Sequence, residues 1–290
     1  MASIDYNLLQ DFMNREVIGP FYDKRIKSLQ TLSLVKGNGA LLRRKNPYLL
    51  RAKDIRTAGD FVEYALDAFL SSQEEAIFGN LLENFAIHVC GQVFGGVKAP
   101  TKIYPSVDLL FERDAVYYIV GIKSGIVSGN NDQVKTMARN FKLIKTRLKS
   151  EGETRQIQAV NGCMYGADAT PFKENREDPE LSYYKYCGDR FWELISGDKD
   201  LYLRLIEPLG QEARKRSPEL ADLYVHDRWT NRLGKAHQVC LFFKQPPGER
   251  KQRRNLSPST LLCYTYLYEP HHCLQRPARP FGRDRLYRRL

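Results

Sequence analysis

Between residues 107 and 123 the chain changes period, and that change decides what it can fold into. "VDLLFE" and "AVYYIVGIK" are short runs of β-branched and aromatic residues, with "RDA" at their junction as a tight turn, the pattern of a β-hairpin. Long stretches of helical period lie on either side. Residues 57–94 include "FVEYALDAFLSSQEEAIFGNLLENFAIHVC", which reads as two helices, the second starting at a capping box of Ser72 and Glu75. Residues 131–148 place Val134, Met137, Phe141, Ile144 and Leu148 on one helical face. A hairpin held between such helices has to bury one or both of its faces under them, so the expected class is α/β: a mixed central sheet flanked by helices.

The rest of the chain extends that plan. Residues 5–31 read as helix, and "KGNGALLRRKNP" as a break. "RQIQAVNGCMYG" and "YYKYCG" are further strands, and "DRFWELISG" is a helix capped by Asp189. Two more helical runs cover about 199–216 and 218–233. We therefore expect a helical N-terminal segment over 1–56, an α/β core over 57–233 with helices added at its C-terminal end, and a basic tail over 234–290. In that tail apolar periodicity stops and 6 of the 14 prolines occur. It reads either as a disordered extension or as the product of a reading-frame error in the source sequence.

Charge follows the same boundary. The net charge is +11, but residues 234–290 carry 12 Lys/Arg against 3 Asp/Glu, which leaves 33 against 31 for residues 1–233. Overall basicity is thus a property of the tail and says little about the core. No apolar run approaches the roughly 18 residues of a membrane span, and the first residues do not form a secretory signal. Six cysteines lie scattered without a CxxC pair, as expected of a reduced, cytoplasmic protein without structural zinc. No GxxxxGK[ST] loop is present, which excludes a P-loop NTPase reading.

The hairpin carries the chemistry. Asp108 opens the first strand and Lys123 ends the second, so cross-strand pairing can bring the two side chains together. Taken alone, such a pair describes a turn-flanking acid and an exposed lysine equally well. More of the pattern follows it: "GIKSGIVSGNNDQVKTMARNF" after the turn, then "NGCMYG" and "YCGDRFWELISG". Together these segments resemble type II restriction endonucleases of the PD-(D/E)xK nuclease superfamily, in a variant with a small residue before the Ile-Lys-Ser-Gly segment. The resemblance covers about residues 60–200, with an extension to 233 open, and leaves out the tail. Two departures stand out: Ser106-Val107 precede Asp108, with Pro105 displaced upstream, and Gly121 stands where the second acid belongs.

The resemblance implies a restriction-endonuclease-like fold and Mg²⁺-dependent hydrolysis of phosphodiester bonds in double-stranded DNA at a short site, as part of a restriction-modification system. Asp108 would bind the metal and Lys123 would act at the attacking water. The missing acid is either Glu83, on the helix before the hairpin, or is replaced by the Ile122 carbonyl with Ser124 or water. The Phe-Gly pair before Glu83 would let that helix approach the sheet closely. Gln133 would orient the lysine or contact phosphate, whereas Asp132 reads as a helix N-cap. Ser124, Asn131 and the stripe Lys135, Arg139 and Lys142 are the candidate DNA contacts. A palindromic site implies a homodimer, and a cognate methyltransferase would share the site without forming a stable complex. His88 reads as core. The competing expectations are a DNA-binding protein that kept the scaffold and lost catalysis with the acid at 121, or a structure-selective resolvase or repair nuclease.

Overall fold

The computed structural model describes residues 4–31, 46–55, 58–126 and 129–226. The tail over 234–290, the predicted break around Gly37 and Gly39, and Asp227 and Arg228 lie outside these residues. The chain divides into two compact units. One comprises residues 1–27 with 72–221, and the other 28–71 with 222–290.

The first unit is built on a six-stranded sheet in the order β1-β2-β3-β4-β6-β5. The strands are β1 (Val97–Lys98), β2 (Leu109–Arg113), β3 (Val116–Lys123), β4 (Gln156–Cys163), β5 (Phe172–Lys173) and β6 (Tyr183–Cys187). The predicted hairpin is β2–β3, antiparallel, with Arg113 opposite Val116. Its two-residue turn puts both Asp114 (φ 52°) and Ala115 (φ 60°) in the left-handed region, as a turn that follows the strands' own twist requires. β3 and β4 run parallel, joined across one sheet face by α5 (Asn131–Ser150), and β4 runs parallel to β6.

α5 buries Met137, Phe141, Ile144 and Leu148 against Val107, Leu110, Ile119 and Ala159, the apolar stripe expected from the sequence. Its N-cap is Asn130 rather than Asp132. Asn130 and Gln133 exchange hydrogen bonds in a reciprocal capping box, which leaves Asp132 exposed in the first turn, where it favours the positive end of the helix dipole. The other sheet face is covered by α4 (Ala58–Phe94) and α6 (Asp189–Ser196). Phe85 of α4 meets Trp192 of α6 with ring centroids 6.0 Å apart, and Phe94 stacks on Phe111 of β2 at 5.9 Å. Gly162 of β4 lets α6 settle closely: a Cβ there would lie 2.5 Å from the Phe191 ring.

α4 corrects the two-helix expectation, because it is one helix of 37 residues through Ser71 and Ser72. Both serines are exposed, each costs only a few tenths of a kcal/mol relative to alanine, and neither glycine nor proline interrupts the chain near them. The division between the two compact units does fall at this serine pair. α6 starts after Gly188, which makes no side-chain cap, so Asp189 is its first residue and not its cap. The two C-terminal runs expected over 199–216 and 218–233 divide elsewhere: the break falls between α7 (Leu201–Arg204) and α8 (Ile206–His226), α8 continues through Pro218, and 227–233 lies outside the described residues. Pro218 and Arg214, whose carbonyl loses its helical partner, are both exposed, so water can satisfy that carbonyl.

The N-terminal helices α1 (Tyr6–Phe12) and α2 (Gly19–Thr31) are joined by a π-helical turn over Met13–Ile18. Phe12 stacks on His88 of α4 at 3.7 Å, consistent with the core role expected of that histidine, and Phe21 meets Phe78 edge-on at 5.4 Å. In the second unit, α3 (Pro47–Ala52) is capped by Asn46 and begins with proline, while Leu50, Ala65 and Leu66 are fully buried.

Ala115 holds its left-handed conformation at a cost that glycine would not incur. Ala115→Gly should stabilise the protein by about 0.5–1 kcal/mol, allowing for the extra freedom of glycine in the unfolded chain. An unchanged or lower urea midpoint would contradict that account.

Candidate active site

Asp108 immediately precedes β2, and its backbone N–H donates to the Val120 carbonyl at 2.8 Å. One step further along β3 there is no backbone acceptor from β2. Instead the Ile122 N–H donates to Asp108 Oδ2 at 2.7 Å. The carboxylate is thereby fixed at the open end of the hairpin, with its side chain 25% exposed. In an extended strand the N–H and C=O of one residue turn to the same side, so the Ile122 carbonyl also faces this open end. Lys123 Nζ stands 3.9 Å from Asp108 Oδ2, an ion pair too long for a direct hydrogen bond.

Glu83 approaches from α4. Its side chain is 23% exposed, and its carboxyl is pushed above the usual range by burial and then by the charge of Asp108, against the opposing pull of Lys98 and Lys123. α4 passes the end of β3 at Gly79, where a Cβ would lie 2.4 Å from the Ser124 hydroxyl. Glu83, Ile122, Lys123 and Ser124 line one open cavity of about 270 Å³, together with Glu75, Gly79, Asn80 and Met164. Two carboxylates, a lysine and an outward-facing carbonyl therefore share one concave edge of the sheet. Such a set can bind a hard cation and hold an anionic substrate beside it.

Gly121 lies opposite Asp108 in the hairpin register, one step beyond the pair Leu109–Val120. Its side-chain position is already filled, because a Cβ there would lie 2.5 Å from the Ser106 carbonyl oxygen and 3.6 Å from Phe141. Ser106 adopts φ 63°, and its hydroxyl accepts a hydrogen bond from Asn140 Nδ2 of α5 at 2.8 Å. The departure at Pro105-Ser106-Val107 and the glycine at 121 are thus one structural feature: the turn before Asp108 occupies the room that a side chain at 121 would need.

The remaining candidates are spread more widely. Gln133 Oε1 accepts from the Asn130 N–H at 3.0 Å, and among the described residues none of its hydrogen bonds reaches Asp108, Lys123 or Glu83. Asn131 is the exposed first residue of α5. Lys135 and Arg139 are exposed and have no ion pair among the described residues, whereas Lys142 is paired with Asp178 at 2.6 Å. Lys98 of β1 was missed in the sequence. Its Nζ lies 3.5 Å from Glu83 Oε1 and 3.0 Å from Asn84 Oδ1. A two-residue strand is too short for side-chain alternation to reveal it. Glu75, read in the sequence as the capping-box partner of Ser72, and Asn80, three residues before Glu83 on α4, also line the cavity.

Because Ser106 blocks position 121, Gly121→Asp should not create a better nuclease. Gly121→Ala and Gly121→Asp should both lower stability by about 1–3 kcal/mol through overpacking, read from denaturant melts, with no gain in DNA cleavage. A Gly121→Asp protein that is as stable as the parent and cuts faster would show that the turn yields and the acid can be restored.

Among the described residues no helix is long and apolar enough to cross a membrane. No curated protein matches the chain. The family model for the type II restriction endonuclease EcoO109I matches residues 9–217, which takes in the N-terminal helices as well as the sheet, the cavity and most of α8. The chain belongs to the type II restriction endonuclease EcoO109I family, whose members are site-specific nucleases of double-stranded DNA.

Proposed function

We propose that the protein is a Mg²⁺-dependent PD-(D/E)xK-type restriction endonuclease in which Glu83, brought in by α4, stands in for the acid absent at Gly121. The carrying observation is that Glu83, Ile122 and Lys123 line one cavity at the open end of the hairpin, while Asp108 sits beside it, bonded to the Ile122 amide and 3.9 Å from Lys123 Nζ.

The donor set fits a hard divalent ion. Asp108 and Glu83 would supply carboxylate oxygens and Ile122 a carbonyl oxygen, and a cation there would offset both the burial and the Asp108 repulsion that raise the Glu83 pKa. Among the described residues no cluster of three or more His, Cys, Asp or Glu is gathered. A sparse set of this kind suits Mg²⁺, which binds through one or two carboxylates and keeps waters and substrate phosphate in its shell. When bound, the ion polarises the scissile phosphate and lowers the pKa of a bound water. The chain's own groups set the geometry around it. Asp108 is locked by the Ile122 amide, so it meets the substrate without reorganising. The Lys123 ammonium can donate to a phosphate oxygen and offset the charge that grows there as the attacking water adds. Gln133 acts at one remove, by fixing the first turn of α5. Ser124, Asn131, Lys135 and Arg139 would meet DNA beside the cavity, and Lys142 would join them if it leaves Asp178. Two copies related by a two-fold axis would cut the two strands of a palindromic site, which a methyltransferase of the same restriction-modification system would protect.

Plasmid and phage DNA incubated with the protein and Mg²⁺ should give discrete bands. Asp108→Ala and Lys123→Ala should reduce cutting by roughly 10²-fold or more while DNA binding in Ca²⁺ is retained. Binding without cutting by the parent at any protein concentration would favour a DNA-binding protein that has lost catalysis. Glu83→Gln should behave like Asp108→Ala. If it cuts like the parent, the helical acid is wrong and the Ile122 carbonyl with water must suffice.

The α5 contacts make a separate expectation. Lys135→Ala with Arg139→Ala should weaken binding on all sequences alike and reduce the slope of log K against log[salt] by about 2. An unchanged slope would place the DNA elsewhere.

A further inference from the structure

Lys98 has no part in the assignments above, yet it holds the group on which they turn. It ends β1, opposite Leu109, and the next residue, Ala99, donates its N–H to the Asp108 carbonyl at 3.0 Å. The lysine thus stands on the strand beside Asp108, and its side chain crosses to α4. There Nζ pairs with Glu83 Oε1 at 3.5 Å and donates to Asn84 Oδ1 at 3.0 Å. Its side chain is 58% exposed, so the flexible stem can swing the ammonium away without leaving a buried charge behind.

A metal ion at Glu83 would need the same carboxylate, and an ammonium and a divalent ion at one oxygen repel each other strongly at contact distances. One of them has to leave, and Lys98 is the mobile one. DNA brings backbone phosphates to this edge of the sheet, and these are the natural new partner for a displaced ammonium.

We propose that Lys98 is a positioning residue that holds the cation place at Glu83 in the free enzyme and exchanges that carboxylate for a DNA backbone phosphate when metal and DNA enter. The proposal rests on the reading of Glu83 as a metal-binding acid. In the free state the lysine keeps Glu83 aimed at the cavity, and in the bound state it becomes one more phosphate contact.

The test uses the full chain and two readouts other than cleavage. Tb³⁺, a hard ion followed by its luminescence, is titrated into the parent, Lys98→Met, Lys98→Arg and Glu83→Gln in the absence of DNA. Lys98→Met should bind Tb³⁺ about two- to fivefold more tightly, the range an exposed ion pair supports, while Lys98→Arg stays near the parent. On a random-sequence 30-base-pair duplex in Ca²⁺, Lys98→Met should lose about one unit of salt slope. Unchanged or weaker Tb³⁺ binding by Lys98→Met overturns the proposal, and so does a salt slope equal to the parent's. The Glu83→Gln titration tests the underlying reading separately. If the parent binds no Tb³⁺, or Glu83→Gln binds it as the parent does, the assignment of Glu83 falls whatever Lys98 does.

Discussion

The hydrogen bond from the Ile122 amide to the Asp108 carboxylate sets the geometry of the candidate site, because it ends the β2–β3 ladder with a side chain where another backbone carbonyl would otherwise stand. Two consequences follow. The carboxylate is held at the strand end by a charge-assisted bond, stronger than an ordinary amide–carbonyl pair. The Ile122 carbonyl is left facing the same opening, since β2 provides nothing further to pair with it. Asp108, the carbonyl and Lys123 therefore come from one hairpin end, and only Glu83 has to be brought from elsewhere.

Small residues shape the sheet face that Glu83 approaches. A Cβ at Gly79 would meet the Ser124 hydroxyl as α4 passes it, and Gly162 lets α6 settle on the same face against Phe191. Gly121 has the opposite relation to its surroundings. Its open side-chain position is filled by the Ser106 carbonyl, in a turn tied to α5 through Asn140. Room at the site is thus uneven: backbone on the α5 side fills the side-chain position at 121, while on the α4 side Gly79 leaves space beside Ser124.

Much of this was legible along the chain. The hairpin, its turn, the α5 stripe and the two longer strands after it follow from alternation and helical period, which are local and repeat over several residues. Asn131 and Gln133 were visible as the start of a helix, although the cap, Asn130, was misplaced by two positions to Asp132. The serine pair at 71–72 looked like a helix start and marks instead the division between two compact units within one continuous helix. A capping preference is weak beside the propensity of the residues around it, and it takes effect only where the chain turns.

The sequence by itself determined the class of fold, the pairing of Asp108 with Lys123 across a hairpin and, through the segments after Lys123, the likeness to restriction endonucleases. Each of these is carried by neighbours in the chain or by a fixed spacing. Only the tertiary structure decided why position 121 is glycine, that Glu83 reaches the cavity of Lys123, and that Lys98 pairs with it. Those contacts join residues from different elements, where strand order, helix height and the bulk of a single glycine matter more than spacing, and no local period records them.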